Sequence, residues 1–279
     1  MININEGRIG FQAIGNTYSV HSEIIRENVE IAGIPGSWFI PQNASENDII
    51  FYIHGGAFIF GSADSHAPMV SHIAHKLQKR ILLIDYRLAP EFPFPQGLND
   101  CSSVIQAVYN ENPALKFGII GDSAGGNLAL STQLFLKDHN GPKSEYTIII
   151  SPWTDLECKN KSFERNKIKD VVLSKPYLLE AAKLYVVNEP LTDPLVSPVN
   201  GDFEGFSPVM ILCGTSEILE DDSIHLNDQL LKYNVISELH EFENELHVWL
   251  FENINSEASQ QALEMMSKFI KNQNTNQEI

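Results

Sequence analysis

Residues Gly121-Asp122-Ser123-Ala124-Gly125 follow the apolar run Phe117–Ile120 and precede the helix-compatible stretch Asn127–Leu136. A strand must therefore become a helix within a very few residues. Only small side chains fit so tight a turn, because larger ones collide with neighbouring backbone, and the residue at its centre is strained with its side chain turned outward. Read as a nucleophile elbow, the turn presents the Ser123 hydroxyl at the C-terminal edge of a sheet. The five-residue pattern alone is weak, and a phosphate-binding or structural glycine turn is the alternative; the strand-turn-helix context favours the elbow.

Short apolar runs rich in β-branched and aromatic residues recur at Ile49–Ile53, Ile81–Ile84, Phe117–Ile120, Tyr146–Ile150 and Val209–Leu212. Such runs suit strands buried on both faces. Helical patterns lie between them: Met69, Ile73 and Leu77 share a face, as do Leu98, Ile105 and Val108. Alternating strands and helices predict an α/β fold with a mostly parallel central sheet flanked by helices. Ile24–Ile31 and Ser37–Ile40, with Gly33, Pro35 and Gly36 between them, predict an antiparallel edge hairpin. From Leu156 to Val199 the rhythm breaks. A charged stretch, Lys159 to Asp170, leads to Ser174 as N-cap, Pro176 in the first turn and a helix over Tyr177–Val187. Ala258–Ile270 predicts a closing amphipathic helix before a polar, frayed tail from Asn272. The expected organisation is a single domain over 1–279 with a small helical cap insertion at 156–199, residues 1–23 being a candidate addition to that cap. A chain of 279 residues that is 43% hydrophobic can bury one such core.

A formal net charge of -17 repels phosphate backbones and anionic lipid surfaces, so neither nucleic acid nor membrane is an expected partner. Cys101, Cys158 and Cys213 lie far apart, with no metal-ligand spacing around them, and read as reduced thiols of a cytoplasmic protein. Cys213 ends an apolar run and reads as a core residue. The start, Met1 to Phe11, lacks a signal peptide's basic and apolar segments, and no run is long enough to span a membrane.

His54-Gly55-Gly56-Ala57-Phe58 directly follows the strand Ile49–Ile53. Acyl transfer places negative charge on a carbonyl oxygen, and backbone N–H groups aimed there stabilise it by about 3 kcal/mol each. The N–H groups of Gly55, Gly56 and Ala124 are the candidate oxyanion hole. His54 adjoins that loop and reads as its organiser.

With both motifs in place the chain resembles the hormone-sensitive-lipase-like (bacterial group IV) esterases of the α/β-hydrolase fold. The resemblance rests on His54-Gly55-Gly56, Asp85-Tyr86-Arg87-Leu88-Ala89-Pro90-Glu91 followed by Pro93-Phe94-Pro95, Gly121 to Gly126, Ser151-Pro152-Trp153 and Ser197-Pro198, and it spans most of residues 25 to 250. It implies a serine hydrolase of carboxylic esters. Two positions depart from the family pattern: Ala57 stands where a third glycine is frequent, and Glu217-Ile218-Leu219 stands where the family has Asp-Pro-Leu. The Asp85 to Glu91 block reads as a proline-stiffened loop in which Arg87 and Glu91 pair, with no part in catalysis.

A serine hydroxyl near neutral pH needs a base, and the base a carboxylate that sets its tautomer; in this fold the chain order is Ser, acid, His. His247 follows the last strand candidate, Ile236–Phe242, as that order demands. His21 and His54 precede the elbow; His66, His72, His75 and His139 read as helical or polar surface positions, and His225 and His240 fall within a helix and a strand. Glu217 sits in the loop after Val209–Cys213, with Asp221 one helical turn later as the rival acid. The expected mechanism is an acyl-enzyme on Ser123 with His247 as general base and Glu217 as acid, needing no metal or cofactor. The expected substrates are small esters with acyl chains of about two to six carbons, since the cap is short. Lactones, amides or thioesters cleaved by the same residues, a catalytically inactive small-molecule receptor on this scaffold, and a homodimer are the open alternatives.

Overall fold

The computed structural model describes residues 2–275. Its apolar runs form β3 (Asp48–Ile53), β4 (Arg80–Ile84), β5 (Lys116–Asp122), β6 (Tyr146–Ile150) and β7 (Val209–Gly214), and the more polar edge strand β8 (Ser237–Phe242) joins them, all paired in parallel. β1 (Ile24–Ile31) and β2 (Ile34–Pro41) are antiparallel to each other, and β2 is antiparallel to β4. The sheet order is β1-β2-β4-β3-β5-β6-β7-β8. The hairpin turn is tighter than expected. Ala32 and Gly33, both with positive φ, suffice to reverse the chain, while Pro35 and Gly36 belong to β2.

Alternation along the strands sends Ile49, Phe51 and Ile53 to one face and Ile50 and Tyr52 to the other. The first face packs under α3 (Gln96–Glu111), α4 (Ala124–Asp138) and α7 (Glu220–Lys232); the second under α2 (Ala63–Leu77) and α8 (Glu257–Thr275). Each fully buried Ile or Phe contributes roughly 1.5–3 kcal/mol relative to exposure. Cys101, Cys158 and Cys213 are unpaired and buried.

The chain steps from β3 through α2 to β4, then returns through α3 across β3 to β5. That reversal opens a crevice at the carboxyl ends of β3 and β5, where ligands of open α/β sheets bind. Residues 54–58 leave one of those ends and Ser123 the other.

Two smaller helices border the crevice, α1 (Ile4–Ile14) and α6 (Lys175–Tyr185), while the single turn α5 (Ser162–Arg165) packs against the start of α7. Ser174 has the extended backbone of an N-cap and Pro176 lies in the first turn, but α6 ends at Tyr185, two residues before the expected end. At the C-terminus the expected frayed tail is helical as far as Thr275, and Gln273 is buried; residues 276–279 lie outside the described residues. Among the described residues no helix is long and apolar enough to cross a membrane.

Candidate active site

Ser123 follows β5 with φ 53 and ψ -121, a conformation that costs a non-glycine residue about 1–3 kcal/mol. Its surroundings hold it there. The Ser123 N–H donates to the Ile150 carbonyl at 2.8 Å and its own carbonyl accepts from the Trp153 N–H at 3.2 Å. The flanking glycines are required by closeness: a Cβ on Gly121 would meet the Gly125 carbonyl oxygen at 2.4 Å, and one on Gly125 would meet the Ile53 oxygen at 2.0 Å.

His247, on the loop after β8, places Nε2 2.9 Å from Ser123 Oγ and Nδ1 2.7 Å from Glu217 Oε2. An ionised carboxylate only accepts, so the imidazole proton belongs on Nδ1 and the Nε2 lone pair faces the serine hydroxyl. Glu217 is fully buried in the loop after β7, and its Oε1 accepts from the Gly214 N–H at 2.7 Å and from Ser151 Oγ at 3.0 Å. Asp221 points elsewhere. It accepts the Ser162 N–H at 2.8 Å and pairs with Arg165; burial pushes its carboxyl up, but Arg165 and Ser162 outweigh that and hold it below the usual range. Asp222 is buried against the Thr154 and Asp155 N–H groups, both at 2.9 Å, and burial pushes its carboxyl up to about 7.

The loop after β3 departs from expectation at one donor. The Gly55 N–H already donates to Asp122 Oδ1 at 3.1 Å, so it is not free to meet an oxyanion. Gly56 (φ 115) and Ala57 (φ 54) continue the loop past Ser123, and neither N–H bonds to another described residue. Ala124 opens α4, and a helix's first N–H groups have no partner within the helix.

Asp122 is a residue that sequence reasoning passed over. Fully buried, it accepts Tyr52 Oη at 2.8 Å as well as the Gly55 N–H, and His66 Nε2 stands 3.5 Å away. Burial pushes its carboxyl up, yet His66, Tyr52 and His54 together hold it below the usual range. His66 corrects a second expectation: it is buried in the core, not on the surface. Its position three residues before Met69, on the stripe that continues to Ile73, was the available signal. His54 is buried, stacks on Tyr86 with ring centroids 4.3 Å apart, and lies with Nδ1 2.8 Å from the Gly55 carbonyl oxygen. Burial, reinforced by His66, lowers its imidazole to about 3. His21, His72 and His75 form a ring cluster between the N-terminal segment and α2.

The expected Arg87–Glu91 pair does not form. A spacing of four brings side chains together on a helix, and this proline-bearing stretch is not one. Arg87 instead binds buried Asp100 of α3, with Nη2–Oδ1 at 2.6 Å, and Glu91 holds Arg8 of α1 at 2.7 and 2.8 Å.

A cavity of about 490 Å³ opens over Ser123 and His247. Its far wall comes from two distant parts of the chain: Phe11 and Ile14 of α1, and Val171, Val172, Leu173 and Tyr177 before and within α6. The two parts are tied together, since the Ile2 N–H donates to Glu180 Oε1 at 2.7 Å.

A family model described as the alpha/beta hydrolase fold matches residues 50–251. An acetyl-hydrolase of Streptomyces hygroscopicus is 28% identical over 244 residues, covering 87% of this chain and 81% of that protein. An esterase of Acinetobacter venetianus is 36% identical over 197 residues, covering 70% of this chain and 65% of that protein. Among solved structures, an esterase from the bacterial hormone-sensitive lipase family superimposes with a TM-score of 0.94 at 28% identity, covering 98% of this chain and 92% of that one.

Proposed function

Since the chain belongs to the α/β-hydrolase family, among its hormone-sensitive-lipase-like members, and is a carboxylic ester hydrolase, we propose that it works through an acyl-enzyme on Ser123. The observation that carries this reading is the continuous line Ser123 Oγ, His247 Nε2, His247 Nδ1, Glu217 Oε2, with contacts of 2.9 and 2.7 Å. Ser123 Oγ attacks the ester carbonyl carbon as its proton passes to His247 Nε2. Glu217 stabilises the imidazolium that results. The carbonyl electron pair moves to oxygen, where the N–H groups of Gly56, Ala57 and Ala124 receive it, each at about 3 kcal/mol. Collapse expels the alcohol, which takes the proton from His247. A water molecule then repeats the sequence on the acyl-enzyme and releases the acid.

The cavity supports the substrate class. Its walls are apolar and a volume of about 490 Å³ suits a small neutral ester. We assign short acyl chains to it, about two to six carbons, and we assign the segment 156–199, together with α1, the role of a cap.

Replacing Ser123 by Ala tests the mechanism. With folding verified by an unchanged Tm, kcat for a p-nitrophenyl ester should fall by about three orders of magnitude or more, and a fluorophosphonate should label the wild type on Ser123 but leave the variant unlabelled. Ester turnover near the wild-type rate in the folded variant would remove Ser123 from the chemistry.

A further inference from the structure

Ser151 follows the last residue of β6, is fully buried, and has a left-handed backbone with φ 47. Its N–H donates to the Leu212 carbonyl of β7 at 2.7 Å, which fixes the residue against the neighbouring strand. Its hydroxyl does two things at once. It lies 3.0 Å from Glu217 Oε1, and it accepts the Val248 N–H at 3.1 Å. An amide N–H can only donate, so it occupies an acceptor site on Oγ and leaves the hydroxyl proton to point at the carboxylate. One oxygen thus touches the proposed acid and the residue directly after the proposed base.

Both ends of that bridge need restraint. Val248 is β-branched and left-handed, φ 49, a conformation costing about 1–3 kcal/mol that persists only where surroundings impose it. The bond from its N–H to Ser151 holds the turn that carries His247. Glu217 has one more side-chain torsion than an aspartate would, and therefore more ways to miss the imidazole. The Gly214 N–H and Ser151 Oγ pin Oε1, leaving Oε2 at 2.7 Å from His247 Nδ1.

We infer that Ser151 is a positioning residue for the hydrolytic reaction, aligning Glu217 and His247 through a single hydroxyl. The inference rests on the reading of Glu217 as acid and His247 as base, and it assigns Ser151 no contact with substrate.

The test measures kcat and KM on a p-nitrophenyl ester for the wild type, Ser151→Ala, Ser151→Gly, Glu217→Gln and the two corresponding double variants. Glycine accepts φ 47 without strain, so the Gly variant decides the matter should the Ala variant fold poorly. Losing one partner of buried hydrogen bonds should lower kcat about 10- to 100-fold in the single Ser151 variants, with KM within about twofold because the substrate never meets this residue. In the Glu217→Gln background the same replacements should cost clearly less than in the wild type, since the carboxylate half of the bridge is already gone and only the Val248 half remains to be lost. A purely architectural serine would give equal factors in both backgrounds. That result, a near-wild-type kcat in Ser151→Gly, or a change confined to KM overturns the proposal. Near-wild-type activity in Glu217→Gln overturns the acid assignment itself, and the proposal with it.

Discussion

Two walls meet at Ser123, and they are built on opposite principles. Behind the elbow, His54, His66, Asp122 and Tyr52 are closed off from water: Tyr52 Oη is bonded to Asp122, His66 Nε2 lies 3.5 Å from the same carboxylate, and the His54 and His66 rings pack with centroids 5.1 Å apart. Facing them across the cavity, Val171 and Val172 are 78% and 53% exposed, and their neighbours Phe11, Ile14 and Tyr177 offer mainly shape, Phe11 reaching the inner wall through a ring contact with His66 at 5.9 Å. A buried polar group without its partner loses about 1–3 kcal/mol, whereas an apolar contact at a half-open mouth loses only the area it covered. The inner wall is therefore suited to setting the rate and the outer wall to choosing the substrate. Substitutions on the two sides should differ in kind as well as in size.

The sharpest contrast lies between two carboxylates four residues apart. Glu217→Gln keeps the shape but removes the acceptor that fixes the His247 tautomer, and kcat should fall by about three to four orders of magnitude. Asp221→Asn touches only the contacts to Arg165 and Ser162 in the segment 156–199, so its kcat should stay within about tenfold, with a small loss of Tm instead. Steady-state kinetics beside thermal melts check both; the opposite ranking would move the acid to Asp221.

A second prediction exploits titration, which the inner wall has and the outer wall largely lacks. The His54 imidazole is lowered to about 3 by burial and by His66, against an ordinary value near 6.5. A group with a depressed folded value lends stability that is complete above 6.5 and is lost as pH falls towards 3, because the unfolded chain takes up the proton first. Below about pH 5.5 the slope from this one residue approaches about 1.4 kcal/mol per pH unit. Urea unfolding of the wild type and of His54→Asn at pH 7.5, 6, 5 and 4.5, conditions chosen to span that window, should show the variant less stable at neutral pH but with a shallower decline. An equal slope in both would mean that His54 is not held neutral.

The same division governs what could be read from the amino-acid sequence. The strands of the sheet and the turn at Ser123 were legible, because buried parallel strands need unbroken apolar runs and the elbow needs small residues at set positions, and the chain order Ser, acid, His singled out two residues, Glu217 and His247, that do lie in line with Ser123. Asp122 and Ser151 were passed over although both sit inside quoted motifs. Their importance lies in partners distant in the chain, Gly55 and Tyr52 for one and Val248 and Glu217 for the other. Gly55 was misassigned for the same reason: a motif marks a loop as a donor but not which N–H the fold has already used. Helix α1 was the least legible part. None of its residues is fully buried, so its apolar stripe is shallow, and its place in the wall follows from long-range ties of Arg8, to the Glu91 carboxylate and to the Ile59 and Ala89 carbonyls.

The smallest expected effect is the one that separates the walls most cleanly. On a series of p-nitrophenyl esters, kcat/KM should climb by up to about fourfold per methylene, the equivalent of about 0.8 kcal/mol, until the cavity is full, and then decline. The maximum should fall at about two to six carbons, and a maximum near sixteen would overturn the short-acyl assignment. Phe11→Ala removes a ring from the outer wall without touching the proton relay. It should shift that maximum by about two carbons towards longer chains and change kcat/KM by only about three- to tenfold at any one length. Asp122→Asn, on the inner wall, weakens the support of the Gly55 turn and should lower kcat by a similar factor at every chain length, because it disturbs the donor loop rather than the acyl site. A length-dependent effect from Asp122→Asn, or a uniform one from Phe11→Ala, would dissolve the division between a wall that sets the rate and a wall that chooses the substrate.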